Sequence, residues 1–262
     1  MEKINWDLFK VNQIEIINPA TESVVFKVTL QNVEQAHEVL SIAHLCQKEW
    51  KQVPLSKRID LCLSAIVEFK KEKTKIAEEI TEQMGKPITQ ALAEVDGMIF
   101  RTQKLIEIAE SALAETSLAP IAGFKRKIAR EPLGVVLNIP AWNYPLLTAV
   151  NVVVPAVLAG NSVIIKHSSK TPLCGEHFAN AFKAAGAPHG LVSSLSLSHA
   201  DTAQLIADPR IAHVSFTGSV QGGREVYRTA AENASSMSAW NWEARIPLMF
   251  EPTRIFCLRQ RI

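Results

Sequence analysis

The fold is decided by residues 135–172, VVLNIPAWNYPLLTAVNVVVPAVLAGNSVIIKHSSKTP. The apolar run Val135–Ile139 is typical of a buried strand, and the long apolar segment that follows, through Leu158, is typical of a buried helix. A Gly-Asn turn then leads into a second apolar strand at residues 162–166. A strand, a helix and a strand in this order predict a βαβ unit of a parallel sheet.

The same alternation continues downstream of the second strand. Thr171-Pro172 is typical of a helix start, and this helix is predicted to run to about residue 185. Further elements are predicted as a strand at 191–197, a short helix at 202–207, a strand at 213–217 and a helix ending near 232. Because open parallel sheets bind ligands beyond the carboxyl ends of their strands, the residues that follow these strands are the candidates for a site.

The part of the chain before this region has a helical pattern, over residues 32–114. Asn32 followed by Gln35 predicts a capping box at the first helix start. Ser56 is the predicted cap of the next helix, and the Gly-Lys-Pro sequence at 85–87 is typical of the end of a third. The chain is therefore predicted to be α/β, with helices preceding the parallel sheet.

Composition excludes several classes of protein. The chain has 262 residues, enough for one large domain or two small ones, and a net charge of +2 without a basic stripe, so no nucleic-acid partner is expected. No apolar run reaches the roughly 18–20 residues of a membrane span, so no membrane partner is expected. The four cysteines and seven histidines are scattered. This spacing predicts no metal site and no disulfide framework, and favours a cytoplasmic location.

A strand-to-helix turn at residues 216–223, FTGSVQGG, is the first candidate binding element. Free N–H groups and the helix dipole at such a helix start favour a phosphate, and Gly218 and Gly223 would let the backbone come close to it. In the alternative interpretation, Ser219 only caps the following helix. The turn lacks the G-x-G-x-x-G pattern of common dinucleotide folds.

Two further candidates follow the first two strands. Lys166 ends the second strand, where it could bind a ribose hydroxyl or a phosphate; alternatively it is a surface lysine with a partly buried stem. Asn143 follows the first strand, where its amide could donate to a developing oxyanion. Alternatively, Asn143 satisfies only the backbone of its own turn.

Taken together, these segments resemble the aldehyde dehydrogenase family. IPAWNYP at 139–145 resembles its oxyanion-site motif, Lys166 with Thr171-Pro172 its cofactor-ribose segment, and FTGS at 216–219 its diphosphate turn. NPAT at 18–21 and GKP at 85–87 are similar to other family landmarks, and the resemblance covers roughly residues 17–232. It implies a parallel-sheet, Rossmann-like cofactor-binding domain of the aldehyde dehydrogenase type, truncated before the catalytic domain.

The resemblance also implies a chemistry. Asn143 would hold the oxygen of a small-molecule aldehyde while a cysteine thiolate attacks its carbonyl carbon; hydride would pass to NAD or NADP, and a glutamate would activate water. The cofactor-binding residues implied are Trp142, Lys166, Ser169, Gly218, Ser219 and Gly223. NAD-preferring members often have Glu where this chain has Ser169, so NADP+ is an expected cofactor. An intact enzyme of this family could be a homo-oligomer.

None of the four cysteines matches the family nucleophile. Cys46, Cys62 and Cys174 lie in predicted helices, and Cys257 lacks the family's Gly-Gln-x-Cys context. We therefore divide the chain into an NAD(P)-binding domain with N-terminal helices at residues 1–232 and a tail at 233–262 that departs from the family and is expected to be disordered. As written, the chain is expected to be inactive.

The genetic code offers an explanation of this tail. Trp is encoded by TGG and Asn by AAT or AAC, so a frame that starts at the last base of the Trp240 codon begins with GAA, for Glu. The next two triplets must encode Leu and Gly, and the following three can encode Gly or Ser, then Lys, then Asn or Asp. The shifted product resembles the family's Glu-Leu-Gly-Gly-Lys motif, which carries the general-base glutamate. We therefore expect a frameshift between about residues 232 and 240.

Two non-enzymatic alternatives stay open. The chain could be a non-catalytic remnant that still binds NAD(P)+ through Lys166 and Ser219. It could instead be an interaction module whose exposed sheet edge pairs with intact subunits. Cofactor binding by the purified chain would distinguish these two functions.

Overall fold

The fold is taken from a computed structural model, which describes residues 13–119, 121–124 and 126–232, and the backbone of 237–242. The chain begins with an antiparallel hairpin of β1 (Gln13–Ile17) and β2 (Val24–Thr29). Four helices follow: α1 (Val33–Trp50), α2 (Leu55–Lys71), α3 (Lys73–Met84) and α4 (Ile88–Leu113). A second small hairpin, β3 (Thr116–Ser117) with β4 (Lys127–Ile128), leads into the main sheet.

Local sequence signals set most of the helix ends in this region. The Asn32–Gln35 capping box is confirmed, since each side chain accepts the other residue's backbone N–H. Gly85 ends α3 in the left-handed conformation, with φ of 77°. The predicted Ser56 cap is wrong: α2 begins at Leu55, directly after Pro54, and has no side-chain cap. Pro54, whose ring presets φ for helix entry, begins the helix two residues earlier than expected.

The main sheet is parallel and has the strand order β7-β6-β5-β8-β9. Its elements are β5 (Val135–Ile139), α5 (Pro145–Leu158), β6 (Ser162–Ile165), α6 (Leu173–Ala184), β7 (Val192–Ser194), α7 (His199–Ala207), β8 (Ile211–Gly218), α8 (Val220–Glu232) and β9 (Met237–Trp242). This order confirms the predicted alternation of strands and helices. The third strand is shorter than expected, and α7 starts three residues early because Ser198 caps it by accepting the N–H of Asp201.

β9 corrects the expectation for part of the tail. Over residues 237–242 the backbone pairs in parallel with β8, so these six residues form a strand where disorder was expected. Pairing of this kind uses only main-chain N–H and C=O groups, which every non-proline residue carries. The remainder of the tail, including Cys257, lies outside the described residues.

The core is divided between the two faces of the sheet. Val136 points into one cluster, which is formed mainly by α2 to α6. Val135, Leu137 and Ile139 point into the other cluster, with α1, α7 and α8. Because successive side chains of a strand point to opposite faces, one short strand contributes to both clusters. Among the described helices, none has the length and apolar composition needed to cross a bilayer.

The carboxyl end of α5 is held by side chains from α1 and α2. Three donors reach its terminal carbonyls: Gln47 Nε2 to Gly160 at 3.1 Å, Trp50 Nε1 to Val157 at 2.9 Å, and Arg58 Nη1 to Leu158 at 2.7 Å. Carbonyls at the end of a helix lack partners within the helix. These bonds pair the carbonyls of Leu158 and Gly160 and add a second donor to Val157 O, which also accepts the Gly160 N–H at 3.1 Å. They also hold the N-terminal helices α1 and α2 against α5, the helix that connects β5 to β6 of the main sheet.

Gly160, in the turn after α5, should not tolerate a side chain. Its φ is 89°, and an added Cβ would lie 2.9 Å from both Arg58 Nη1 and Pro132 Cγ. We expect Gly160→Ala to lower the free energy of unfolding by about 2–4 kcal/mol, from backbone strain and overpacking together. Gly186→Ala is the control, because Gly186 has φ of 88° and no atom within 4 Å of the added Cβ. Equal losses of stability in urea titrations would show that packing around Gly160 contributes nothing.

Candidate functional site

A cavity of about 600 Å³ opens at the carboxyl edge of the main sheet. Its wall is formed by residues 139–142 after β5, by Lys166, Ser168 and Ser169 after β6, and by residues 216–219 at the end of β8, with α7 and α8 opposite. Five of the predicted site residues line it together: Trp142, Lys166, Ser169, Gly218 and Ser219. The three parallel strands end side by side, which brings segments 50 residues apart in sequence into one wall.

Lys166 places a buried cation in this wall. It directly follows β6, and its backbone N–H donates to Asn138 O at 2.9 Å, which extends the β5–β6 ladder and fixes its position. Lys166 is only 6% exposed, so its interpretation as a surface lysine is wrong. Within the described part of the chain, no carboxylate pairs with its Nζ, and burial lowers the pKa of its ammonium group. A buried cation without a partner attracts an anionic or hydroxyl-bearing ligand.

The ring of Phe216 requires glycine in and just after the turn at residues 216–219. A Cβ added at Gly218 or Gly222 would lie 2.7 or 2.8 Å from Phe216 Cζ, so the aromatic ring packs where side chains would otherwise stand. Ser219 does cap α8, since its Oγ accepts the N–H of Gly222 at 3.1 Å. Gly223 is buried, with its N–H bonded to Ser219 O, and the neighbouring Gly222 lines the cavity.

The loop after β6 adds further polar groups at the cavity mouth. Ser169 is exposed there, and the neighbouring Lys170 holds its Nζ 4.4 Å from the centre of the Trp142 ring. This cation–π contact joins the loop after β6 to the loop after β5. The positive charge of Lys170 therefore lies against Trp142, which lines the cavity.

Asn143 lies beside the cavity, next to Trp142, but not in its lining. Its Oδ1 accepts the backbone N–H of Tyr144 at 3.0 Å, as the local-turn interpretation requires. This bond orients the side-chain amide, so that any donation to a ligand must come from Nδ2.

His167 is a site residue that the sequence analysis missed. It is 3% exposed; its Nε2 lies 3.2 Å from Pro145 O, and its Nδ1 accepts the N–H of Ser168 and lies 3.1 Å from Thr171 Oγ1. Burial, with a smaller contribution from Lys166, lowers the pKa of His167 to about 4. A neutral ring that donates from Nε2 and accepts at Nδ1 satisfies all these contacts. Only the position after the candidate Lys166 could have indicated it.

The cysteines in the described region are unreactive. Burial raises the pKa of Cys46 to about 11 and that of Cys62 to about 12, and raises the pKa of fully buried Cys174 as well. Thiols in this state carry almost no thiolate at neutral pH. Among the residues that the structure describes, no group of three or more His, Cys, Asp or Glu side chains could hold a metal ion.

Comparison with known proteins identifies the family. The sequence model of the aldehyde dehydrogenase family matches residues 7–239. The chain belongs to the aldehyde dehydrogenase family. The match continues seven residues beyond the boundary at 232 that the sequence analysis drew, as far as the middle of β9.

Relatives of this aldehyde dehydrogenase chain have several activities. The present chain is 32% identical over 219 residues to the NADP-dependent glyceraldehyde-3-phosphate dehydrogenase of Triticum aestivum. The matched region covers 80% of the present chain and 44% of that relative. The chain is 31% identical to the lactaldehyde dehydrogenase of Escherichia coli, covering 86% and 47%. A succinic semialdehyde dehydrogenase from Streptococcus pyogenes, solved with NADP+, has a TM-score of 0.82 and 28% identity, covering 87% and 50%. The chain thus spans about half the length of the proteins it matches.

Buried neutral His167 should make folding sensitive to acid. Between about pH 6.5 and 4 the unfolded chain binds a proton at this ring that the folded chain does not, so stability is lost as the pH falls through this window. We expect this group to contribute a slope of up to about 1.4 kcal/mol per pH unit. Urea unfolding at pH 6.5, 5.5 and 4.5 should show a smaller slope for His167→Gln. The same substitution at exposed His189 is the control; an unchanged slope in His167→Gln would contradict the assignment.

Proposed function

We propose that residues 1–232 of this chain form the NAD(P)+-binding part of an enzyme that oxidises a small aldehyde to a carboxylic acid. The observation that supports this proposal most is Lys166, a buried cation in the wall of a 600 Å³ cavity, across from the turn at 216–219. Both groups suit a phosphorylated ribose ligand: the lysine can donate to hydroxyls, and the N–H groups at the α8 start can face a diphosphate.

Each proposed residue has a role set by its place in the wall. Lys166 would bind the ribose, and Gly218 and Ser219 would bind the diphosphate. Trp142 would form the side of the cavity between them. Asn143, oriented by its bond to Tyr144, would donate from Nδ2 to the aldehyde oxygen as negative charge develops there. When bound, the cofactor would accept the hydride that leaves the substrate.

NADP+ is the proposed preferred cofactor. A 2′-phosphate near Ser169 would meet a hydroxyl instead of a carboxylate, with the cation of Lys170 on the adjacent residue. Relatives with either cofactor are known, such as the NADP-dependent glyceraldehyde-3-phosphate dehydrogenase of Triticum aestivum and a betaine aldehyde dehydrogenase from Staphylococcus aureus solved with NAD+, so the relatives support a nicotinamide cofactor of either kind. The Ser169 hydroxyl and the neighbouring Lys170 ammonium group favour the more anionic of the two cofactors, and the carboxylate of Glu225 in the cavity lining is paired with Arg228 at 3.0 Å.

Cofactor binding tests the proposal. We expect the purified chain to bind NADP+ in calorimetric titrations, and Ser169→Glu to weaken NADP+ roughly tenfold or more through like-charge repulsion, while NAD+ affinity changes little. Ser111→Glu, on the exposed face of α4, is the charge-matched control. Absence of binding to either nucleotide would contradict the proposed function, and a clear preference for NAD+ would contradict only the cofactor assignment.

We also propose that the tail at 233–262 results from a shifted reading frame and that the chain as written is inactive. The inert thiols of Cys46, Cys62 and Cys174 support the second part, because a nucleophilic cysteine needs an accessible thiolate. A chain of this kind would still bind cofactor, which keeps the non-catalytic alternative open.

The reading frame can be tested on the DNA. Sequencing across codons 225–262 should reveal a gained or lost base, whose correction yields Glu-Leu-Gly after β8 and α8. We expect no NADP+ reduction by the present chain with an aldehyde substrate, and aldehyde oxidation by the frame-corrected protein. A confirmed DNA sequence would remove the frameshift from the explanation, and turnover by the present chain would overturn its assignment as inactive.

A further inference from the structure

Three buried polar side chains from other parts of the fold converge on the four residues after Asn143. Their contacts are Lys86 Nζ with the Tyr144 ring at 4.1 Å, His167 Nε2 with Pro145 O at 3.2 Å, and Glu94 Oε1 with the N–H groups of Leu146 and Leu147 at 2.9 and 3.3 Å. We call Lys86, Glu94 and His167 the polar clamp. Each is at most 7% exposed.

Glu94 supplies the cap that α5 lacks locally. The residue before the helix, Tyr144, makes no side-chain cap, and Pro145 in the first turn has no N–H to bond. The Glu94 carboxylate, which comes from α4, accepts the next two N–H groups instead. A negative charge at this helix end is also favoured by the helix dipole.

Lys86 neutralises the buried carboxylate and adds a contact of its own. Its Nζ forms an ion pair with Glu94 Oε2 and lies over the ring of Tyr144. A buried ion pair loses its hydration, and replacing such a pair by apolar residues is often neutral or stabilising. Stability alone is therefore a weak explanation for the Lys86–Glu94 pair. Both side chains instead contact the turn that follows Asn143.

We propose that the polar clamp positions Asn143, with Glu94 as the principal positioning residue. By fixing Tyr144 through Leu147, the clamp fixes the Tyr144 backbone N–H that donates to Asn143 Oδ1, and thereby the direction of the Asn143 Nδ2 donor. The side chain is thus oriented before any ligand arrives, which is what transition-state stabilisation by a preset donor requires. The inference rests on the proposed role of Asn143 as the aldehyde-oxygen donor.

The experiment removes both charges of the pair at once, so that no unpaired charge is left in the core. The variant is Lys86→Met with Glu94→Leu in the full 262-residue chain. The matched control is Lys73→Met with Asp96→Leu, which removes an exposed ion pair between α3 and the same helix α4. Proton–nitrogen NMR of 15N-asparagine protein, with Asn143→Asp for assignment, reports the Asn143 side-chain amide directly.

In the clamp variant we expect the resonance of the Asn143 side-chain amide to broaden, or its chemical shift to move to that of unfolded protein. In the control variant the resonance should stay unchanged. The N–H groups of Leu146 and Leu147 should exchange roughly tenfold faster, as for a lost helix cap. Lys86→Met with Glu94→Gln keeps an acceptor oxygen and should restore part of this protection. A native Asn143 signal in a folded clamp variant would overturn the proposal.

Two further measurements separate this inference from other failures. If the Met/Leu variant does not fold, Lys86→Met with Glu94→Ala takes its place because it also lacks the acceptor oxygen, and a native Asn143 signal together with native exchange at Leu146 would overturn the proposal. NADP+ titration of the unmodified chain runs in parallel. Failure of that titration concerns the proposed function, whereas the Asn143 signal concerns the clamp alone.

Discussion

The structure depends on the burial of β5 along both of its edges and on both of its faces. All five of its residues are buried, it pairs with β6 on one edge and β8 on the other, and helices cover both of its faces. A parallel strand in this position must satisfy its backbone groups within the sheet and its side chains within two apolar clusters. Only its carboxyl end is open, and the loop that leaves it carries Trp142 and Asn143.

Six of the twelve buried polar or charged residues of the described chain lie around the carboxyl ends of β5 and β6. Asn138, Lys166, His167 and Thr171 are nearly inaccessible, and so are Lys86 and Glu94 beside them. Desolvating such groups opposes folding, as the lowered pKa values of Lys166 and His167 show. Their shared location, around the carboxyl ends of β5 and β6, indicates that they shape the site in addition to their effects on stability.

β9 shows that a strand can pair in parallel with its neighbour without a particular set of side chains. Its first three residues lie within the match to the family model and its last three lie beyond it, and yet the backbone of all six continues the sheet beyond β8. Hydrogen bonds between strands are made by the main chain, so a segment of unrelated sequence can occupy an edge position. A family resemblance in fold therefore extends further along the chain than the resemblance in motif, which weakens near residue 232.

Local sequence patterns predicted the order of strands and helices from β5 to α8, the capping box at Asn32 and the end of α3 at Gly85, and five residues of the cavity wall were also predicted. These features follow from periodicity and short-range contacts, which a single chain segment contains. Packing of the whole fold was needed to show that Lys166 is buried with no carboxylate partner among the described residues, that Gly222 lines the cavity, and that the neutral ring of His167 accepts at Nδ1. It also brought Lys86 and Glu94 to the turn after Asn143, because contacts across about 50 residues depend on how helices pack and leave no local pattern.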